Sequence, residues 1–322
     1  MIDPAAQPPI GSPPRRADNA RSIVSLIASA TEIICALGLR DRLVGISHEC
    51  DFPENVRGLP VCSEPRIDPA QPGGNIDRAV RDLVREGTSI YHVRTEVLER
   101  LRPDLIVTQD QCRVCAVSLA DVEQACSELA HKPVRVCSLM PHTLDDIYAD
   151  FERVGDTAGV PERGHALAAA LRERLVALAA KVANTQRPKV ACLEWLDPPM
   201  VAGGWMPALV RIAGGEPVLV TSPERFRNVR WEEIEAADPD VVVILPCGFS
   251  VKRTMEELGD DRTGPAVRRL RTTPAGCTFV ADGNAYFNRP GPRIADSAEV
   301  LAALLHPDWF PAPVGSAAMR WS

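Results

Sequence analysis

A proline turn followed by a buried strand occurs twice in this chain of 322 residues, and this repeat limits the folds open to it. Arg102-Pro103-Asp104 precedes the apolar run 105–108, and Asp238-Pro239-Asp240 precedes the apolar run 241–245. Around both turns, strand-like runs alternate with helical patterns, which indicates βαβ units with parallel strands. The sequence therefore predicts an α/β protein built from two similar Rossmann-like lobes.

The segment between the two halves has a different pattern. Residues 144–183 show little strand signal, and an Ala-, Leu- and Arg-rich helix is predicted over 162–182, about 30 Å long at 1.5 Å per residue. We expect this helix to form a backbone that joins the lobes. The predicted organisation is a disordered leader at 1–21, a first lobe at 22–142, linking helices at 143–184, a second lobe at 185–310, and a tail at 311–322.

Composition excludes several classes of function. Hydrophobic residues make up 45% and charged residues 25%, which is typical of a globular protein. The net charge of −7 and the lack of dense basic runs argue against nucleic-acid binding. No apolar run reaches the roughly 18–20 residues that cross a bilayer, so membrane insertion is not expected. The Pro-rich first 22 residues lack the apolar core of a secretory signal peptide, so we expect a cytoplasmic protein.

Cysteines follow three predicted strands. Cys50 comes after the second strand, Cys112 and Cys115 after the strand at 105–108, and Cys247 after the strand at 241–245. Loops at the carboxyl ends of strands in an open α/β sheet line the ligand crevice, so these four thiols are candidates for one site. Four thiolates would suit zinc or a [4Fe–4S] cluster, and the lack of nearby histidines favours iron–sulfur. Free cysteines that merely lie close together are the alternative.

Several longer tracts resemble one known family. The strings VSLIASATE at 24–32, VGIS at 44–47 with DFP at 51–53, PDLI at 103–106, and AGG at 213–215 resemble the helical-backbone class of periplasmic binding proteins, over roughly residues 21–310. More narrowly, the chain resembles a subgroup labelled cobalamin-binding. The tracts that carry this resemblance are HECD at 48–51, CRVCAVS at 112–118, LEWLDPP at 193–199, PCGF at 246–249 and DGNAYFNRPGPR at 282–293.

The resemblance implies a function. Members of this class carry cobalamin, haem or iron–siderophore complexes to ABC importers, so it implies a bilobal binding protein, rather than an enzyme, for cobalamin or a related metal chelate. The alternative is a cytoplasmic metalloprotein or enzyme with an iron–sulfur or zinc centre at the four cysteines. An apolar disc such as a corrinoid needs aromatic faces and a few polar groups. The candidate ligand-binding residues are His48, Tyr91, Trp195, Trp205, Phe249, Tyr286, Phe287, Arg289 and Arg293.

Each of these assignments has a competing interpretation. His48 could ligate cobalt or simply make a surface hydrogen bond. Trp195 and Tyr286 could instead fill the core of their own lobe. Arg289 or Arg293 could pair with Asp282 or Glu194 rather than with a ligand.

The resemblance also bears on the partner. Importer-coupled members carry one acidic residue on each lobe, which docks on arginines of the membrane protein. Glu32 occupies that place on the first lobe, but the second lobe offers Ala208 and Arg211. Because Arg211 would repel the expected arginines, the sequence argues against docking on an importer.

Overall fold

Two large β-sheets organise the chain, one in each half, and a separate two-stranded sheet lies in the first lobe. The structure is a computed structural model that describes residues 20–110, 117–130, 133–222, 226–259, 263–270, 277–311 and 317–321. Its strands are β1 (Ile23–Ser25), β2 (Leu43–Ile46), β3 (Ser63–Pro65), β4 (Tyr91–Val93), β5 (Leu105–Gln109), β6 (Arg135–Leu139), β7 (Lys189–Leu196), β8 (Pro199–Val201), β9 (Glu216–Pro217), β10 (Arg227–Asn228), β11 (Val241–Ile244), β12 (Cys277–Ala281) and β13 (Ala318–Arg320).

Helices connect these strands in both halves. They are α1 (Ala28–Ala36), α2 (Gly73–Arg85), α3 (Thr95–Leu101), α4 (Leu119–Glu128), α5 (Leu144–Ala158), α6 (Pro161–Lys181), α7 (Met206–Ile212), α8 (Trp231–Ala236), α9 (Val251–Leu258), α10 (Thr263–Leu270) and α11 (Ile294–Leu305). None of the helices in the described ranges is both long and apolar enough to cross a membrane.

The two sheets share a parallel core but differ at their edges. The first sheet has the order β2-β1-β5-β6, and all of its neighbours are parallel. In the second sheet, β7, β11 and β12 run parallel to one another. The strand β8 pairs antiparallel with both β7 and β10, and β13 pairs antiparallel with β12. The predicted α/β fold with two lobes is confirmed, and the second sheet is mixed rather than wholly parallel.

The repeated proline turn performs the same task in both lobes. Arg102 and Asp238, which precede the prolines, have positive φ angles of 47° and 45°. The Asp104 carboxylate then accepts hydrogen bonds from the backbone N–H groups of Arg21 and Ser22, at 3.0 and 3.1 Å. The Asp240 carboxylate accepts one from the Lys189 N–H at 2.8 Å. Each turn therefore ties the central strand of its lobe to the start of the first.

The helix α6 is the predicted backbone of the molecule. Its Arg163 donates to the Leu37 carbonyl of the first lobe at 2.9 Å, and its Arg174 pairs with Asp296 and Glu299 on α11 at 2.7 and 2.9 Å. A Cβ on Gly164 would lie 2.7 Å from the Phe151 carbonyl oxygen, so glycine is needed where α5 and α6 cross.

One hydrophobic cluster runs through both lobes and the linking helices. Its buried members include Ile23 and Ile33 of the first lobe, Phe151 and Leu175 of α5 and α6, and Leu301 of α11. Burial of this continuous apolar surface fixes how the two sheets stand relative to each other, because separating them would expose it to water.

Two local features differ from the sequence-based expectation. The spacing of Ser29 and Glu32 in the sequence predicts a capping box with Ser29 as the N-cap, but α1 begins at Ala28 and both residues lie inside the helix. The predicted tail contributes to the second lobe, because β13 pairs antiparallel with β12 through Phe279↔Arg320 and Ala281↔Ala318. The second sheet therefore extends beyond residue 310. Of the predicted leader, residues 1–19 lie outside the described residues.

Candidate functional site

The first lobe contributes a histidine–tyrosine pair. His48 follows β2, and Tyr91 begins β4 in the short β3–β4 hairpin; their ring centroids lie 5.3 Å apart. The Nδ1 atom of His48 lies 2.9 Å from the Ser63 hydroxyl, which fixes the orientation of the ring. Burial lowers the pKa of His48, against an opposing effect of Glu64. The imidazole is therefore held in its neutral form, which is the form that ligates metals.

The second lobe contributes a tryptophan–phenylalanine pair. Trp195, at the end of β7, and Phe249, after β11, have ring centroids 5.2 Å apart. The indole N–H of Trp195 donates to the Asp197 carbonyl at 3.1 Å, and the Arg253 guanidinium lies 4.9 Å from the Phe249 ring. Trp195 is 9% exposed. Both aromatic rings thus lie at the carboxyl ends of strands, where the sequence placed them.

The long loop after β12 is built around two aromatic side chains. The indole N–H of Trp205 donates to the Phe287 carbonyl at 3.2 Å, and the Phe287 ring is completely buried. Both belong to the hydrophobic core, so in this structure they support the loop from beneath instead of facing a ligand. Tyr286, in the same π-helical turn Gly283–Phe287, is half-buried and packs against that core.

Arg289 and Arg293, at the end of this loop, reach across to the first lobe. Arg293 Nη2 lies 2.5 Å from Glu32 Oε1, and Arg293 Nε donates to Glu32 Oε2 at 2.9 Å. Arg289 Nη1 lies 3.3 Å from Glu32 Oε1 and 2.5 Å from Asp51 Oδ1. We call Glu32, Asp51, Arg289 and Arg293 the ion cluster. Its two carboxylates come from the first lobe and its two guanidinium groups from the second.

Further contacts surround the two arginines of the ion cluster. Arg293 also stacks 4.0 Å from the Phe52 ring and 5.4 Å from the Tyr286 ring, one from each lobe. Arg289 donates to the Glu49 carbonyl at 3.3 Å and to the Asn284 side chain at 3.1 Å. Both guanidinium groups are therefore enclosed by protein on several sides.

Carboxyl groups around the ion cluster have divergent pKa values. Burial raises the pKa of Glu49 to about 7, with Asp51 adding to the rise and Arg289 opposing it. Burial also raises the pKa of Asp282, although Arg289 and Arg293 oppose it. Burial alone would raise the pKa of Asp51 as well, but the hydrogen bond and charge of Arg289 hold it below its usual range. The region thus contains more acids than its two arginines neutralise.

A second contact between the lobes lies at the start of α2. The backbone N–H of Gly73 donates to Glu257 Oε1 on α9 at 2.9 Å, and Arg253 Nη2 donates to the Gln71 carbonyl at 2.7 Å. A small cavity of about 10 Å³ lies here, lined by Gly73, Trp195, Leu196, Asp197, Pro246, Phe249 and Glu257. Sites for drug-sized ligands usually measure roughly 300–1,000 Å³, so this space is smaller than a corrinoid requires.

The predicted cysteine site is not assembled in the described part of the chain. Cys112 and Cys115 lie outside the described residues, and elsewhere no group of three or more His, Cys, Asp or Glu side chains could hold a metal ion. Cys50 is a buried thiol that contacts the Thr31 hydroxyl at 3.0 Å and the Ser47 hydroxyl at 3.3 Å, and burial raises its pKa. A thiol held protonated in this way is a poor metal ligand, because metals bind the thiolate.

The docking residues also have structural roles. Glu32 is 3% exposed and bonded to both arginines of the ion cluster, so its carboxylate is not presented on the surface. Ala208 and Arg211 lie on α7, and Arg211 donates to the Thr221 carbonyl. The acidic residue expected to face a membrane partner is thus used to join the lobes.

Several important residues escaped sequence reasoning. Asp51 appeared only within a motif, and Arg253, Glu257 and Gly73 were not singled out. The i,i+4 spacing of Arg253 and Glu257 was a visible signal for a helical ion pair, which the structure forms at 2.7 Å. Their contact with α2 depends on how the two lobes pack together, so no local pattern in the sequence indicates it.

Known proteins with similar structures have the same architecture. A periplasmic haem-binding protein from Pseudomonas aeruginosa superposes with a TM-score of 0.69 at 22% identity, covering 94% of this chain and 98% of that one. The periplasmic vitamin B12-binding protein of Vibrio cholerae superposes with a TM-score of 0.62 at 20% identity, covering 89% and 97%. These likenesses establish the fold.

Sequence comparison reaches the same group of proteins. A vitamin B12-binding protein of Photorhabdus laumondii is 25% identical over 287 residues, or 88% of this chain and 87% of the relative. One of Yersinia pestis is 23% identical over 288 residues, with 88% and 86% covered. The family model described as periplasmic binding protein matches residues 23–275. Since that match spans most of the sequence, this chain belongs to the periplasmic binding protein family.

Proposed function

We propose that the protein binds a metal chelate of the cobalamin or haem type between its two lobes. The observation that carries this proposal is the similarity, over 88% of the chain, to proteins named vitamin B12-binding. Haem-binding proteins among the structural neighbours support the broader class of flat, metal-centred macrocycles. Cobalamin is the preferred ligand because the sequence relatives carry that name.

The aromatic pairs supply the surfaces that such a ligand needs. His48 follows β2 and packs against Tyr91 on the first lobe, and on the second lobe Trp195 lies near the end of β7 and packs against Phe249, which follows β11. Aromatic rings bury a large area against an apolar disc at a small cost in side-chain entropy. Their placement supports a ligand held between rings from both lobes.

His48 is the candidate for direct contact with the metal of the ligand. Its Nδ1 is engaged with Ser63, so Nε2 is the nitrogen that would meet cobalt. The lowered pKa keeps a lone pair on the imidazole at neutral pH. If His48 replaced a cyanide of dicyanocobinamide, which would leave as free cyanide, the absorbance bands of the bound chelate would shift.

A ligand as large as cobalamin or haem can enter only if the lobes part, either at the ion cluster or at the contact at the start of α2. The cavity beside Trp195, about 10 Å³, must enlarge to accept a macrocycle. Ligands shift such an equilibrium toward the form that they bind better. The free energy of opening would therefore reduce the measured affinity.

We further propose a cytoplasmic location and no docking on an importer through Glu32. Cytoplasmic residence is supported by cysteine usage, since Cys35, Cys50, Cys62, Cys126, Cys137, Cys192, Cys247 and Cys277 are all free thiols. Cell fractionation of the untagged protein tests the first point. Recovery from the periplasm or cell envelope would overturn it.

Calorimetric and absorbance titrations test the binding proposal. The purified chain is titrated with hydroxocobalamin, dicyanocobinamide and haemin, and we expect at least one to bind with a Kd below about 100 μM, equivalent to about −5.5 kcal/mol. Absence of binding for all three up to that concentration would reject the proposal.

A matched pair of tryptophan variants locates the site. Trp195→Phe should weaken binding about tenfold, because it removes ring area and the indole N–H from the second-lobe aromatic pair. Trp309, 62% exposed, provides the control, and Trp309→Phe should leave the Kd within twofold of the native value. Equal effects of the two substitutions would place the ligand elsewhere.

A further inference from the structure

An excursion of the first lobe crosses to the second lobe at the α2 contact. Residues 66–90 leave the first lobe after β3 and return at β4, and we call them the strap. Its helix α2 has apolar residues on one face, yet Gly73 is its only buried residue. Ile76, Val80 and Leu83 are half-buried and belong to none of the hydrophobic clusters of the described residues, and Val84 is 50% exposed. The strap is therefore weakly packed.

Two side chains of α9 hold the strap in place. Glu257, buried and paired with Arg253 at 2.7 Å, accepts the Gly73 N–H at the start of α2. Arg253 donates to the Gln71 carbonyl immediately before it. A carboxylate at a helix N-terminus is favoured by the helix dipole, so Glu257 acts as a cap supplied by the other lobe.

Glycine allows this close approach. A Cβ built on Gly74 would lie 3.0 Å from the Asp197 Cγ and 3.6 Å from the Asp197 Cβ, and one on Gly73 would lie 3.5 Å from the Trp195 ring. The start of α2 therefore rests directly on the second-lobe aromatic pair and covers it.

The two contacts between the lobes differ in how easily they can open. Parting the ion cluster would break four charge-assisted hydrogen bonds, two from Arg289 and two from Arg293. Releasing the strap breaks two hydrogen bonds, and the apolar surface that it exposes is that of the second-lobe aromatic pair, because the strap's own apolar residues are already only half-buried. Regions with few buried apolar contacts open at the lowest free energy, so the strap opens first.

We propose that the strap is the entrance gate of the interlobe site, with Arg253 and Glu257 as the positioning residues that close it. Opening frees Gly73 and Gln71 from α9 and uncovers Trp195 and Phe249 for the apolar face of a flat chelate. The ion cluster meanwhile keeps the opposite contact closed. The identity of the ligand rests on the proposed function, whereas the opening of the strap does not.

A reversible disulfide tests the gate. The 3.6 Å between the Asp197 Cβ and a Cβ on Gly74 lies within the range of about 3.5–4.5 Å found in disulfides. The variant Gly74→Cys/Asp197→Cys therefore locks the strap when oxidised and releases it when reduced. The reduced form of the same variant is the matched control, and the native chain under the same oxidant accounts for its own cysteines.

Two measurements follow on this variant. In native-state hydrogen exchange, oxidation should slow the strap amides 73–85 at least about tenfold and leave the amides 289–294 unchanged. Association of dicyanocobinamide or haemin, followed by stopped-flow absorbance, should slow at least about tenfold on oxidation and recover on reduction. Equal association rates for the oxidised and reduced forms would overturn the proposal.

A second variant keeps the proposal testable if the disulfide does not form. Arg253→Met/Glu257→Gln removes both charges of the α9 anchor and should speed exchange of the strap amides at least about tenfold. Asp82→Asn/Arg85→Met removes an exposed pair on the same helix and should not change it. Strap amides that exchange no faster than amides 289–294 in the native chain would overturn the gate. If the native chain binds neither chelate, the proposed function fails, and the exchange results still decide the gate.

Discussion

Glu32 and Arg293 join the two lobes through two parallel hydrogen bonds, with Nε–Oε2 and Nη2–Oε1 distances of 2.9 and 2.5 Å. A guanidinium that donates two parallel hydrogen bonds to the two oxygens of one carboxylate forms the strongest kind of side-chain ion pair. Glu32 lies within the first helix of the chain, and Arg293 immediately precedes α11, so this pair connects elements 261 residues apart.

Removing Arg293 should therefore destabilise the protein. In Arg293→Met the buried Glu32 keeps only Arg289, and losing one partner of a buried pair typically costs about 3–5 kcal/mol. Urea unfolding measures the change. Arg85→Met, which breaks the exposed pair with Asp82 on α2, is the control and should cost less than about 1 kcal/mol. Equal costs for the two variants would contradict a structural role for the ion cluster.

Stability should depend on pH through Glu49. Burial raises the pKa of this carboxyl to about 7 in the folded protein, above its ordinary value of 4.5. The folded state therefore binds the proton more tightly, and the free energy of unfolding should fall as pH rises from about 4.5 to 7 through this group, then level off. Glu49→Gln should flatten this part of the profile, measured by urea unfolding between pH 5 and 8. An unchanged slope would show that Glu49 titrates normally.

The buried cysteines should be slow to react. Burial raises the pKa of Cys62 to about 12 and also raises the pKa of Cys50, so few thiolates are present at neutral pH. In the folded protein, iodoacetamide should label Cys247, which is half-buried, faster than either of them. Mass spectrometry of a time course follows each site. Rapid labelling of Cys50 would contradict the packing described around Thr31 and Ser47.

Sequence reasoning predicted the architecture because short sequence patterns indicate its strands, turns and helices. The proline turns at Pro103 and Pro239 and the apolar strands after them mark the same step in each lobe, and the structure confirms it with the Asp104 and Asp240 hydrogen bonds. The long helix predicted over 162–182 is α6, Pro161–Lys181. Periodicity and turn residues act over a few positions, so they are visible in one sequence.

The site was less predictable because it depends on contacts between distant residues. The sequence singled out the tract 282–293, but the partners of Arg289 and Arg293 come from the other lobe, at Glu32 and Asp51. The same loop contains Tyr286, which is half-buried, and Phe287, which is fully buried. Only the packing of the whole lobe decides which aromatic ring faces inward, since neighbouring residues in an irregular turn carry no fixed periodicity.

The strand β13 has a practical consequence for work with this protein. Its pairing with β12 occupies the Thr278 carbonyl, which accepts from the Trp321 N–H, and the Asp282 N–H, which donates to the Ala317 carbonyl; without β13 this side of β12 would form a bare sheet edge. Bare edges are templates for pairing with other chains. A truncation at residue 310, or a bulky carboxyl-terminal fusion that pulls Ala318–Arg320 away, would therefore promote self-association, so affinity handles belong at the other end of the chain.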